Sequence, residues 1–484
     1  MGIFQKLFKQ TFIYGLATVL PRMLSFLLVI VHTKYLEGPI SYGRVTILFS
    51  WIIVFNVLLA YGMETSFFRF LNSDKFKNKV TSTSAISIVF STLLFLGIAF
   101  LFRDLIASFL NIEKEFLTYV ISILALDALV IIPFANLRAQ ERPIRYSIIK
   151  IINVVIYATL NIFFLIFLGK WSENIEWLQS IYKDDFQVQY IFIANAIASG
   201  VTLALMLPFY FKIKYQFDKA LWRKMMLYGT PILISGLAFA INEHFDKILL
   251  EWMLEEEKGL FDSGAYSACY KLALFMTLFA TAFRMGIEPF FFSHAKDKNA
   301  PKTYAVITKY FVIFGSFILI VVITFSDLLK EFMIKKPEYW EAMIVVPIIL
   351  LANFCLGIYH NLSVWYKVTD KTKFGAYISV LGGIITLLLN FLLIPKYTYV
   401  GSAIATLGAY GTMMILSWYL GRKYYPIPYD LKKIGLYMIL SITFSIISFY
   451  IFDSNYMISI PLLLGFLVIL YALEKRELKQ ILKQ

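Results

Sequence analysis

The sequence predicts an all-α, polytopic membrane protein, and three observations lead there. The first is composition: of 484 residues 60% are apolar and only 16% charged, with a mean hydropathy of +0.72. Soluble domains are about 45–50% apolar and about 25% charged, and a water-facing surface cannot carry this much hydrocarbon. The second is that the apolar residues fall into fourteen runs, each near the roughly 20 residues that a helix needs to cross a bilayer. The third is that the runs repeat, the first six matching the next six. A soluble enzyme, a disulfide scaffold and a disordered chain are excluded.

Taken in order, the runs predict spans over residues 11–36, 43–68, 81–102, 115–138, 146–168 and 187–211. The next six cover 226–253, 263–293, 303–326, 341–366, 374–394 and 399–420, and two more cover 433–452 and 457–473. Connections after even-numbered spans, with both termini, carry 28 Lys and Arg residues against 11 in the opposite connections. Basic connections stay cytoplasmic, so both termini face the cytoplasm, as an even number of crossings requires. The net charge of +14 is therefore a topology signal rather than a nucleic-acid footprint. Residues 1–10 are short and basic, but the run after them is too long for a signal peptide and lacks a cleavage site. The first span is expected to remain as an anchor.

No connection exceeds about twenty residues, which leaves no room for a soluble catalytic domain. A G-x-x-x-x-G-K-[ST] phosphate loop is absent. His32, His244, His294 and His360 are scattered, without metal-ligand spacing. Cys269 and Cys355 lie inside apolar runs and read as small fillers, not as a disulfide.

The repeat is visible residue by residue. Tyr42 stands 22 residues before Glu64 in Gly62-Met63-Glu64-Thr65-Ser66-Phe67-Phe68, and Tyr266 stands 22 before Glu288 in Gly286-Ile287-Glu288-Pro289-Phe290-Phe291-Phe292. Phe102-Arg103-Asp104-Leu105 matches Phe325-Ser326-Asp327-Leu328, and Tyr14-Gly15 matches Tyr228-Gly229. Asn161 pairs with Asn390, and Ala196–Ser199 with Ala403–Thr406. The first-span match has an offset of 214 and the glutamate match 224, a difference that fits an acidic insertion around Glu251–Gly259. The expected organisation is an N-lobe over 1–211, a C-lobe over 212–425 and two added helices over 426–484. Two even copies face the same way, related by an axis along the membrane normal, and parallel repeats of this kind build transporters with a site at their interface.

Ionisable residues inside spans are costly and usually face a cavity or a partner. Arg22 lies about 11 residues, roughly 16 Å, into the first span, directly after the helix-disrupting Pro21. It reads either as a cavity residue or as half of a buried pair with Asp127, which sits at similar depth in span four. Arg284 and Glu288 stand at i, i+4 in span eight and can pair, and Lys271 lies nearer the outer end of that span. Glu64 has Arg69 close by, and Lys150 is placed to snorkel. Near the outer end of span seven, Glu243 and Lys247 can pair at i, i+4, which leaves Asp246 to a neighbour. Glu64, Asp127, Asp246, Lys247 and Glu288 are thus the candidates for coupling or gating.

The chain resembles the polysaccharide and O-antigen flippases (Wzx-like) of the multidrug/oligosaccharidyl-lipid/polysaccharide (MOP) exporter superfamily. The residues that carry the resemblance are Tyr14-Gly15 through Pro21-Arg22, Tyr42-Gly43, Tyr61 through Phe70, and Phe283-Arg284 through Glu288-Pro289-Phe290. It implies a MATE-like fold and a glycan cargo linked through pyrophosphate to a polyprenyl lipid, moved from the inner to the outer leaflet of a bacterial cell membrane. The pyrophosphate would need cations, for which Arg22, Lys271 and Arg284 are the choices. No cofactor and no enzymatic activity are expected, although a coupling ion, Na+ or H+, fits. The protein would act as a monomer, with glycan-assembly enzymes as neighbours in the membrane. Kindred readings are a lipid II flippase and a cation-coupled multidrug exporter; a membrane-embedded glycan polymerase or transferase is more remote.

Overall fold

Hydrocarbon offers no hydrogen bonds, so a chain this apolar satisfies its backbone internally, as helix. In the computed structural model, which describes residues 23–24, 26–71, 76–110, 112–295 and 297–481, it does so almost throughout, and the described residues contain no strand. We number the longer helices in chain order: α1 Phe26–Tyr35, α2 Pro39–Leu71, α3 Lys79–Leu101, α4 Lys114–Ala139, α5 Pro143–Ser172, α6 Gln187–Lys212 and α7 Lys219–Met253. There follow α8 Glu256–Glu288, α9 Ala300–Thr324, α10 Pro337–Val368, α11 Lys373–Tyr424, α12 Leu431–Ile451 and α13 Tyr456–Lys475. Among the described residues twelve of these, α2 to α13, are long and apolar enough to cross a membrane.

The chain divides into two compact units, Met1–Gly264 and Ala265–Gln484. The first takes in α7, whose sequence opens the second copy of the repeat. Within this unit α2 breaks at Tyr61-Gly62, where both residues adopt left-handed φ (31° and 70°). A Cβ on Gly62 would collide with the Gly229 carbonyl oxygen, so α2 and α7 touch backbone to backbone here. Ser66 then donates to the Met225 carbonyl at 2.9 Å, over a core of Met63, Phe67, Val80, Ile132, Leu221 and Met225. At its other end α2 presents Gly43 to the first turns of α8, where a Cβ would collide with the Leu260 carbonyl. Small residues at such crossings are how membrane helices approach closely, because lipid supplies no hydrophobic drive between them.

In the second unit α11 counts 52 residues, about 78 Å of straight helix against a hydrocarbon core of about 30 Å. It is not straight. Thr398 takes φ 47° and ψ −128°, and the arms fold back on each other. Ser402 Oγ donates to Asn390 Oδ1 at 2.9 Å, although twelve helical residues would hold them about 18 Å apart. The reversal falls between the expected spans 374–394 and 399–420. Ala352, Tyr359, Ile378, Tyr410 and Met413 form the core between α10 and the two arms.

Some positions matched between the two copies also share local geometry. α3 ends at Phe102 (φ −102°, ψ 21°) and α9 at Phe325 (φ −103°, ψ 18°), and each leads into an eight-residue helix, Arg103–Leu110 and Ser326–Met333. Asn161 and Asn390 are both fully buried. Each donates to the carbonyl four residues back, Tyr157 at 2.8 Å and Thr386 at 2.7 Å. Each also offers its Oδ1 to a second partner, His32 in one copy and Ser402 in the other.

Candidate functional site

Arg22 lies outside the described residues. Its proposed counter-ion, Asp127 on α4, accepts from Ser199 Oγ on α6 at 2.7 Å and from Asn56 Nδ2 on α2 at 3.4 Å. Among the described residues its hydrogen-bonded shell holds these two neutral donors and no cation, and the carboxylate ties three helices together. Lys150, expected to snorkel, rests its ammonium 4.4 Å from the centre of the Phe134 ring, a cation–π contact that suits a half-buried charge.

The two motif glutamates behave alike, and not as the sequence suggests. Sequence spacing puts Arg69 beside Glu64, but Glu64 forms an ion pair with Arg138, in the last turn of α4. The reason is helical phase: five residues turn Arg69 about 140° away around the helix, whereas Arg138 comes across from α4 and also lies 4.9 Å over the Phe68 ring. Spacing likewise offers Arg284 to Glu288 at i, i+4. Instead Lys367 Nζ, in the last turn of α10, reaches Glu288 Oε1 at 2.6 Å. Each copy thus closes its repeated glutamate with a cation from the end of the fourth helix of that copy.

In the second unit this leaves Arg284 half-buried, with no hydrogen bond or ion pair of its own among the described residues. It lines a small cleft of about 10 Å³ with Glu288, His360, Asn361 and Lys367, room for about one water. Lys271 is also half-buried, at the start of the 3₁₀ interruption Lys271–Ala273 in α8. It lies 13 residues before Arg284, roughly 20 Å along the helix, so these two cations do not converge on one phosphate group.

On α7 the structure pairs Lys247 with Asp246 (Nζ to Oδ1 2.9 Å), the residue that sequence spacing leaves to a neighbour. Asp246 is 2% exposed, and a carboxylate this buried requires a counter-charge. Sequence reasoning misses a further network altogether. Glu474 on α13 is buried and accepts from Lys309 on α9 at 2.8 Å and from Lys433 and Tyr437 on α12. In the sequence Glu474 reads as part of a solvated tail, and Lys309 as one polar position in a long apolar run. The three helices make this a structural knot of the second unit.

Family models match most of the length. The one described as polysaccharide biosynthesis protein matches residues 7–293, and the one described as MatE matches residues 248–392. No curated protein matches in sequence. Among solved structures the chain is similar to the lipid II flippase MurJ in an inward closed conformation, with a TM-score of 0.72 at 16% identity over 95% of this chain and 98% of that one. It is also similar to an inward-facing multidrug resistance MATE family transporter of the MOP superfamily, with a TM-score of 0.62 at 12% identity over 89% and 96%. A mutant of the Vibrio cholerae MATE transporter VcmN gives a TM-score of 0.59 at 16% identity over 90% and 98%. At such identities the likeness speaks for the fold.

Proposed function

The chain belongs to the polysaccharide biosynthesis protein family of the MOP exporter superfamily, and from that premise we propose that it flips a polyprenyl-pyrophosphate-linked oligosaccharide. The cargo moves from the cytoplasmic to the outer leaflet of the bacterial inner membrane, by alternating access, for a surface polysaccharide. Family and fold relatives are transporters and flippases, not enzymes. The observation that carries the reading is the family match over residues 7–293.

The physical requirements of such a cargo agree with the residues at hand. A pyrophosphate cannot cross hydrocarbon uncompensated, and it recruits cations that hold no fixed partner. Arg284 meets that description, with Lys367 beside it as a second cation that Glu288 releases when the phosphate arrives. Arg22 and Lys271 are the other two cations of the path, and the separation of Lys271 from Arg284 makes them successive stations. In this reading each arm of α11 crosses and α1 ends the first span, which makes fourteen crossings with both termini cytoplasmic. The chain works as a monomer in this reading. Glu64, Asp246 and Glu288 each hold a cation already, so a coupling ion, Na+ or H+, would act there by displacement.

A second reading, the flipping of lipid II, is favoured by the TM-score of 0.72 to MurJ. One experiment separates the two. Cells depleted of the protein should accumulate the lipid-linked surface glycan in the inner leaflet and regain export with the intact chain. Arg22→Ala should abolish export, and Arg284→Ala should reduce it by roughly tenfold or more, as loss of a charged contact predicts. Both variants should still insert. Accumulation of the peptidoglycan precursor in place of the glycan would select the second reading, and normal export by Arg22→Ala would remove that residue from the mechanism.

A further inference from the structure

The acidic insertion that distinguishes the second copy brings one carboxyl into an unusual setting. Glu251, in the last turn of α7, is 7% exposed, and its Oε2 is buried with no hydrogen-bond partner. The side chain lines a cavity of about 40 Å³ together with Arg44, Ile47, Leu48, Ile112, Glu113, Phe116, Glu256 and Leu260. The charged groups that face it are few and can be named by element. α2 supplies Arg44, whose guanidinium is committed to Glu113 at 2.7 Å. Glu113 itself stands just before α4, and the first turn of α8 supplies Glu256, a second negative charge. From the short helix Arg103–Leu110 only Phe109 approaches, and it borders an open recess of about 340 Å³ that Glu251 and Glu256 share with Trp252 and Leu254.

An ionised carboxylate buried without donors is strongly disfavoured, and a neighbouring carboxylate disfavours it further. Asp127 avoids that penalty with two donors and Asp246 with Lys247. Glu251 has neither. What remains is the neutral acid, with the open recess as a route for the proton. We propose that Glu251 is a proton-binding site on the outer side of the first unit, through which external pH drives the transport cycle. The carboxyl takes a proton from water in the recess when the segment after α7 closes over it. It returns that proton to water when the segment opens, and no other reactant is involved. The reading rests on the flippase function for its physiological meaning, but not for its test.

The test uses the purified full chain in detergent, without cargo, in sodium-free buffer. Infrared difference spectra between acidic and neutral buffer should show a protonated-carboxyl stretch that titrates in the intact chain and vanishes in Glu251→Gln. Trp252 and Trp51, with rings 5.5 Å apart, give a second optical readout of the same step. In Glu251→Asp, which keeps a carboxyl, the band should persist at a shifted position. In cells, Glu251→Gln should make glycan export independent of external pH. An unchanged band in a folded Glu251→Gln protein overturns the proposal. So does a fluorescence response to sodium chloride at constant pH that Glu251→Gln abolishes, because the site would then hold a metal cation. A titrating band together with no glycan export in any variant would leave the proton site standing and remove the flippase reading instead.

Discussion

At the scale of single residues, the motif glycines carry different loads in the two copies. Gly62 adopts φ +70° and faces the Gly229 backbone, whereas its repeat counterpart Gly286 lies in a continuous helix, where a Cβ would meet nothing within 4 Å among the described residues. Gly62→Ala should therefore cost roughly 2–4 kcal/mol, the left-handed penalty plus a forced separation of α2 from α7. Gly286→Ala should be neutral or gain about 0.5–1 kcal/mol from helix propensity. Thermal unfolding of the two variants in detergent checks both; equal midpoints would mean that the kink is not what Gly62 is for. The sequence displays both glycines as a motif, but only the Gly229 contact explains why one of them is obligatory. The same limit holds for charges. Lys247 pairs with the adjacent, buried Asp246, a contact that i, i+4 spacing does not point to.

At the scale of elements, the spans are readable because hydrophobic run length is a one-dimensional property. Even the α11 reversal is foreshadowed by Pro395 and the polar residues around it. The partners of Glu64 and Glu288 are not readable in the same way, since 74 and 79 residues separate each from its cation. The signal that could have found them is the repeat: two equivalent glutamates, and a cation ending the fourth span of each copy. Both pairs are only partly shielded, so in isolation each is worth less than about 1 kcal/mol. Their value lies in fixing the second helix of a copy against the fourth. Glu64→Arg and Arg138→Glu singly should each lose most glycan export at near-normal protein yield, and the double exchange should recover much of it. A double variant no better than either single one would show that the pairing itself is dispensable.

At the scale of the whole molecule, duplication and loop charge together predict a topology that chemistry can read. Cys269 and Cys355 are free and buried, so the native chain should give little background with a membrane-impermeant maleimide. Ser180→Cys, in the connection between α5 and α6, should label in intact cells. Thr372→Cys, between α10 and α11, should label only after permeabilisation, and the opposite pattern would invert the orientation read from the basic residues. One further consequence comes from Thr398. Where two packed helices are joined by a single reversed residue, the connection has almost no length to spare. Evolution has no slack there in which to graft an extra domain, and an antibody or protease finds nothing to grip. The longer connection after α5, by contrast, leaves ample purchase for both.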